Sequence, residues 1–245
     1  MFSRRRVFSA WGVLGCAAVL NCGGGNSPSS PSSTPGTTPQ PVCRDYASKY
    51  SSVSSDTPSG GSSTLSATCS FSASDSTLTC DVIYRNGGTY PGVRTDRYAS
   101  VGDFVDEAGF VGRTLVATST LRVEDSDGEF VDLVTNQYDA QRRLTGYINT
   151  VNGRQHGSAT YTSWDSRGRP TAGTMSDADT GTGAVQFSYD DGARTVTASA
   201  AIPGYAVSTA TTYNEFNLPV RVSITTPYYQ RTTTTTVEAT DRVCK

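Results

Sequence analysis

The chain has 245 residues, with 22 acidic against 20 basic side chains and a formal net charge of −2. That balance gives no electrostatic reason for nucleic-acid binding, and no cluster of Lys and Arg with interleaved aromatics supplies one. Ser, Thr and Gly are abundant, no long helical period runs anywhere, and the expectation is an all-β protein.

Residues 1–21 read as an export signal. Arg4, Arg5 and Arg6 form the basic segment, and Val7 to Leu20 is a short, mostly apolar run interrupted by Ser9. A run this short marks a processed signal, not a spanning helix. Arg5-Arg6-Val7-Phe8 also fits the core of a twin-arginine signal, so both export routes stay open.

Two cysteines compete for one role. Val13-Leu14-Gly15-Cys16 resembles the lipobox of bacterial lipoproteins, whereas Cys22 follows Val19-Leu20-Asn21 and opens Gly23-Gly24-Gly25-Asn26. With Cys22 as the lipidated first residue, Cys43, Cys69, Cys80 and Cys244 remain, an even set suited to an oxidising compartment. Lipidation is therefore expected at Cys22, with Cys16 the alternative. Gly23 is not the Asp that retains such lipoproteins at the inner membrane, so the resemblance implies an outer-membrane address facing the periplasm or the cell surface. Residues 22–42 are Gly, Ser, Pro and Thr with almost nothing apolar, the composition of a flexible tether.

A single β domain is expected over 43–245. Its best local signal is a hairpin with Ala73-Ser74-Asp75-Ser76 at the tip, which sets Phe71 opposite Leu78, Cys69 opposite Cys80, Ala67 opposite Val82 and Leu65 opposite Tyr84. One face of this hairpin is apolar and the other is Thr, Ser and Asp apart from Ile83. A slip of one residue would turn the apolar set to water, so the register is fixed. A Cys69–Cys80 disulfide follows, and by elimination Cys43 pairs with Cys244. Further on, Val101 to Gly109 could carry a short helix, and Thr114–Ala117 and Phe130–Val134 have strand character.

From Tyr138 one phrase returns four times: Tyr138-Asp-Ala-Gln-Arg-Arg-Leu144, Trp164-Asp-Ser-Arg-Gly-Arg-Pro170, Tyr189-Asp-Asp-Gly-Ala-Arg-Thr195 and Tyr213-Asn-Glu-Phe-Asn-Leu-Pro219, spaced 26, 25 and 24 residues apart. A period of about 25 residues accommodates one hairpin per repeat. Alternating runs flank each phrase; Val185, Phe187 and Tyr189 share one face, and Val196, Ala198 and Ala200 another. The aromatic ends a strand, Asp or Asn caps the turn, and Gly168 or Asn217 can supply a positive φ. At Tyr189 the Gly comes early, as Gly192, so a different turn is expected there.

The pattern resembles the YD repeat of the Rhs and teneurin families over residues 98–226, with Val105-Asp-Glu-Ala-Gly-Phe-Val111 as a weaker copy. The resemblance implies an antiparallel, hairpin-built sheet, here a curved open sheet or a small barrel. The family's toxin cores and delivery domains have no counterpart in this chain.

Chemistry is sparse. His156, the only histidine, follows Asn152-Gly153 in what reads as a hairpin tip, without a Gly-x-Ser-x-Gly elbow or an active-site cysteine phrase. Glu124-Asp125-Ser126-Asp127-Gly128-Glu129 and Asp177-Ala178-Asp179-Thr180-Gly181 are acidic turns that could attract calcium but lack the EF-hand spacing. Tyr228 and Tyr229, after Pro227, are the candidate binding surface, because adjacent tyrosines cannot both face one core. No catalytic set, metal site or cofactor is expected. The reading is a monomeric, non-enzymatic envelope lipoprotein that binds a glycan or an envelope protein. The alternatives are an assembly factor partly enclosing a client and, third, a carbohydrate hydrolase using paired carboxylates.

Overall fold

The computed structural model describes residues 41–107, 115–125, 128–203, 205–214 and 219–245. The predicted signal, both candidate lipidation cysteines and the tether up to residue 40 lie outside the described residues, as do Asn217 and most of the weak copy at 105–111.

The described residues form fourteen strands and one short helix: β1 Cys43–Thr57, β2 Ser62–Ser72, β3 Thr77–Arg85, β4 Thr89–Tyr98, α1 Val101–Asp106, β5 Val116–Asp125, β6 Gly128–Tyr138, β7 Leu144–Val151, β8 Arg154–Trp164, β9 Pro170–Asp177, β10 Gly181–Asp190, β11 Thr195–Ile202, β12 Tyr205–Tyr213, β13 Pro219–Thr225 and β14 Gln230–Cys244. Each strand pairs antiparallel with the next, and β1 pairs with β14, closing a barrel. Of the two outlines expected from the sequence, the closed one is found. Closure leaves no unpaired edge to recruit another chain.

The predicted hairpin is β2–β3, with Cys69↔Cys80 and Phe71↔Leu78 in register. Both disulfides are present, Cys69–Cys80 across that hairpin and Cys43–Cys244 across the closing pair. Alternation along each strand decides what faces inward. In β11, Val196, Ala198, Ala200 and Ile202 are buried while Ser199 and Ala201 are exposed. In β14, Thr233 and Thr235 are buried while Thr234 and Thr236 are exposed. On these two strands the outward positions are mostly Ser and Thr, while Val53, Ile83 and Val93 are exposed on β1, β3 and β4.

Two apolar clusters fill the inside. One joins β1–β5 through Tyr46, Tyr50, Leu78, Val82, Tyr98 and Val116; the other joins β7–β12 through Tyr147, Tyr161, Met175, Val185 and Ile202. Helix α1 completes the first cluster. Its cap, Ser100, accepts from the amide of Asp103 (3.1 Å), and its Phe104 is wholly buried, stacked 4.0 Å from Phe71 and edge-on to Tyr98 at 5.1 Å. The Arg44 guanidinium lies 4.3 Å from the Phe104 ring and pairs with Glu107 at 3.0 Å. Glu107 also accepts from the Tyr98 hydroxyl (2.8 Å) and the Leu115 amide (3.1 Å), so this buried charge is held from several sides.

Because strands alternate in direction, the turns sort to two ends. The near end holds Cys43 and Cys244, α1 and the turns made by the first three copies of the repeated phrase; the far end holds the turns at 58–61, 86–88, 152–153, 178–180 and 226–229. At the near end the phrase does what its residue types allow. Asp165 Oδ1 accepts from the amides of Arg167 and Arg169, both at 2.9 Å, and Oδ2 accepts from Arg169 Nε at 2.7 Å, closing the turn with Gly168 at φ 78°. Asp139 and Arg143 repeat the arrangement, with Arg142 at φ 60° where Gly168 stands. The Tyr189 copy differs as expected: Asp190 caps Ala193, and the positive φ falls on Arg194.

Successive phrases also grip one another. Arg143 lies 4.5 Å from the Trp164 ring, whose Nε1 donates to Leu144 O at 2.9 Å. One repeat later, Arg169 lies 4.0 Å from the Tyr189 ring, whose hydroxyl donates to Pro170 O at 2.9 Å. Each Arg thus caps its own turn and covers the next aromatic, whose polar tip secures a backbone carbonyl of the repeat before it. Burial pushes the Tyr189 phenol far up, so it remains a donor at all physiological pH.

Candidate functional site

The far end gathers the polar and aromatic side chains that the core does not use. On the β1–β14 side, Asp56 receives both Nε (2.6 Å) and Nη2 (2.7 Å) of Arg231. The fork matches the carboxylate in plane and geometry, and its hydrogen bonds to Asp56 raise the Arg231 pKa against the opposing effect of burial. Below it along the inner wall, Ser54 and Thr233 share a hydrogen bond at 2.7 Å and Ser52 and Thr235 another at 2.9 Å.

Tyrosines surround this pair. The Arg231 guanidinium lies 5.9 Å from the Tyr229 ring centroid, and the phenols of Tyr229 and Tyr84 both act on its charge. Tyr84 and Tyr90, opposite each other on β3 and β4, have ring centroids 6.4 Å apart and tilted by 32°. The Tyr90 hydroxyl lies over Gly88, 2.6 Å from where a Cβ would stand, so that turn leaves room for the ring.

The candidate tyrosines of the sequence reading fall in this group. Thr226 to Tyr229 forms the β13–β14 turn, closed by Thr226 N donating to Tyr229 O at 2.9 Å, with Thr226 Oγ1 accepting from the amides of Tyr228 (3.2 Å) and Tyr229 (3.1 Å). Tyr228 is 72% exposed, while Tyr229 is half-buried toward Arg231. Asp56, Arg231, Tyr84 and Tyr90 were not anticipated. One signal could have found the ion pair. Asp56 and Arg231 each lie thirteen residues inward from the paired cysteines, and the closing ladder sets them opposite each other.

His156 is not at a solvated tip. The tip is Asn152-Gly153, with φ of 49° and 76°, the left-handed pair that a tight hairpin turn demands. His156 is the extra residue of a bulge, between the Thr150↔Gln155 and Asn149↔Gly157 pairs, and its side chain is only 16% exposed. Bulges re-aim side chains, and this one brings the ring toward Asp177 and Asp179. Asp177 Oδ1 caps the second acidic turn, accepting from the amides of Asp179 (3.0 Å) and Thr180 (2.9 Å) and from Thr180 Oγ1 (2.9 Å). In the first acidic turn, Glu129 pairs with Arg122 at 3.1 Å; Ser126, Asp127 and the Asp125 side chain lie outside the described residues. Among the described residues no three His, Cys, Asp or Glu side chains converge as metal ligands.

Compared with known proteins, the chain matches no family model, no curated protein and no solved structure. What the site can do therefore rests on its own geometry.

Proposed function

We propose that this chain is an envelope lipoprotein, anchored through Cys22, whose barrel holds a glycan at its far end without chemically altering it. The observation that carries the reading is the exposed Tyr228 ring next in the chain to Tyr229, which stands near the Arg231–Asp56 pair, with the tilted Tyr84–Tyr90 rings at the same end of the barrel. Aromatic faces stack on the apolar face of a sugar ring, and a planar ion pair offers donors and acceptors matched to adjacent hydroxyls. Position supports it too. Residue 41 enters at the near end, and β1 runs 15 residues to the far end, about 45–50 Å of extended strand. A lipid attached ahead of the tether would thus be joined to the barrel at the end opposite the tyrosines, leaving that end unencumbered. The repeated phrases, read as YD-repeat-like, are then scaffold and not site. Enclosure of a client is the poorer reading, because the inner faces pack on each other in two apolar clusters.

The experiment is retention of the full chain on immobilised envelope polysaccharides, wild type against Tyr228→Ala and Asp56→Ala, with labelled palmitate incorporation measured in Cys22→Ala and Cys16→Ala. Tyr228→Ala should weaken retention about tenfold, the size of a lost stacking contact. Retention indifferent to both far-end substitutions would sink the glycan site, and labelling lost only in Cys16→Ala would move the anchor.

A further inference from the structure

The His156 bulge lies on the other wall of the far end, and its surroundings are almost wholly acidic. His156 Nδ1 is 3.4 Å from Asp177 Oδ2, and Nε2 is 3.7 Å from Asp179 Oδ2. From β6, Asp132 acts on the same ring through its charge. From β7 the facing side chain is Asn149, which carries no charge; its Nδ2 donates to Asp132 Oδ1, and its own Oδ1 is buried without a hydrogen-bond partner. On its own strand the charged neighbour is Arg154, which is exposed. The main chain is geared to the same place: His156 O accepts from the amide of Ala178 at 2.7 Å.

A neutral imidazole has one N–H and one lone pair, whereas the protonated ring has two N–H groups. With carboxylates against both nitrogens, the neutral ring can offer a donor to one and must set its lone pair against the other. Only the charged ring suits both.

We propose that His156 is a proton-operated clasp that ties the β7–β8 hairpin to the β9–β10 turn when the ring is charged and slackens that turn when it is neutral. Asp179 is the part that moves, since its side chain is 71% exposed and reaches the ring from the water, whereas Asp177, 6% exposed, stays fixed by capping the turn. Asp132 is drawn in. Burial pushes its carboxyl up, and the Asn149 amide and the His156 charge pull it back, so a charged ring and an ionised Asp132 favour each other. Acidification therefore orders this part of the rim and alkalinisation loosens it.

The test uses the full chain in detergent. His156 is the only histidine, so its ring proton signals are read by NMR without assignment, and amide exchange across residues 176–182 is followed by mass spectrometry. At pH values where the ring is protonated, the turn should exchange about fivefold more slowly in wild type than in His156→Gln at the same pH, the size expected of a half-exposed ion pair. The difference should vanish where the ring is neutral. A difference constant with pH, or ring titration with no change in the turn, would overturn the clasp. If His156→Gln does not fold, the exposed substitution Asp179→Asn decides. It should shift the ring titration to lower pH, and an unmoved titration would reject the proposal.

Discussion

Arg169 is where one repeat is fastened to the next, and replacing it probes the ladder most directly. Its side chain is 7% exposed; Nε donates to Asp165 Oδ2 at 2.7 Å, Nη1 to Asp191 Oδ1 at 2.8 Å, and the guanidinium lies 4.0 Å from the Tyr189 ring. A hydrogen bond between charged partners contributes about 1.5–3 kcal/mol, and a shielded cation–π contact about 1–2 kcal/mol. The Asp191 carboxylate is half exposed, and solvent screening leaves its pair with little to add. Arg169→Ala should then cost about 3 kcal/mol, and Arg169→Lys about half as much, because an ammonium keeps the charge but not the planar fork or the stack. Urea unfolding followed by tryptophan fluorescence measures this by linear extrapolation. Trp11 belongs to the predicted signal, so in a processed chain Trp164, within the ladder itself, is the reporter. A double-mutant cycle with Tyr189→Leu should show a coupling of about 1 kcal/mol between the two side chains. A loss below about 1 kcal/mol in Arg169→Ala, or no coupling in the cycle, would refute the ladder as a source of stability.

The same turn sets a pH signature. Burial pushes the Asp165 carboxyl up, but the hydrogen bonds and charge of Arg169 outweigh this and hold it below the usual carboxylate range. Such a group stabilises the fold above its unfolded value, near ~4, and that stability is lost as pH falls through the folded value. The gap in urea midpoint between wild type and Asp165→Asn should therefore shrink on acidification below about pH 4; a gap that does not change with pH would be the wrong result. For the disulfides, loop length sets the order: Cys43→Ser/Cys244→Ser, opening a separation of 201 residues, should cost about 5 kcal/mol, and Cys69→Ser/Cys80→Ser, with a separation of 11, about 3 kcal/mol. Urea titration of the two double variants checks the order, and the reverse order would mean that the near-end bridge constrains the unfolded chain less than its span requires.

Much of the fold was legible because it is local. The β2–β3 register follows from an apolar set that only one alignment keeps dry, and Asp165 and Gly168 are turn residues for reasons carried within seven positions. The far end was hidden because its residues meet only on closure. Asp56 and Arg231 are 175 residues apart, and only counting inward from the paired cysteines, not anything local to either residue, points to the other. His156 was misplaced for a subtler reason: Asn152-Gly153 marks the turn correctly, but a bulge is invisible to a period-two pattern, and that one extra residue turns the ring from the water toward Asp177.

Closure itself follows from parity and side-chain chemistry. An up-and-down chain with an even number of strands brings its first and last strands together antiparallel, so the termini meet at one end. The closing pair has the most distant partners in sequence and hence the largest loop entropy to overcome. It is also the pair with the densest specific contacts: the Cys43–Cys244 bridge, a fork–fork pair of Arg242 on Asp45 at 2.6 and 2.9 Å, two hydroxyl pairs, and Arg231 on Asp56. Apolar alternation alone would allow β14 to slide along β1, since its threonines are interchangeable from Thr232 to Thr236. The ion pairs and the disulfide are not interchangeable, and they pin the register from both ends of the seam. The Asp56–Arg231 pair thus does two things at once, fixing how the barrel closes and placing a planar polar group among the far-end tyrosines.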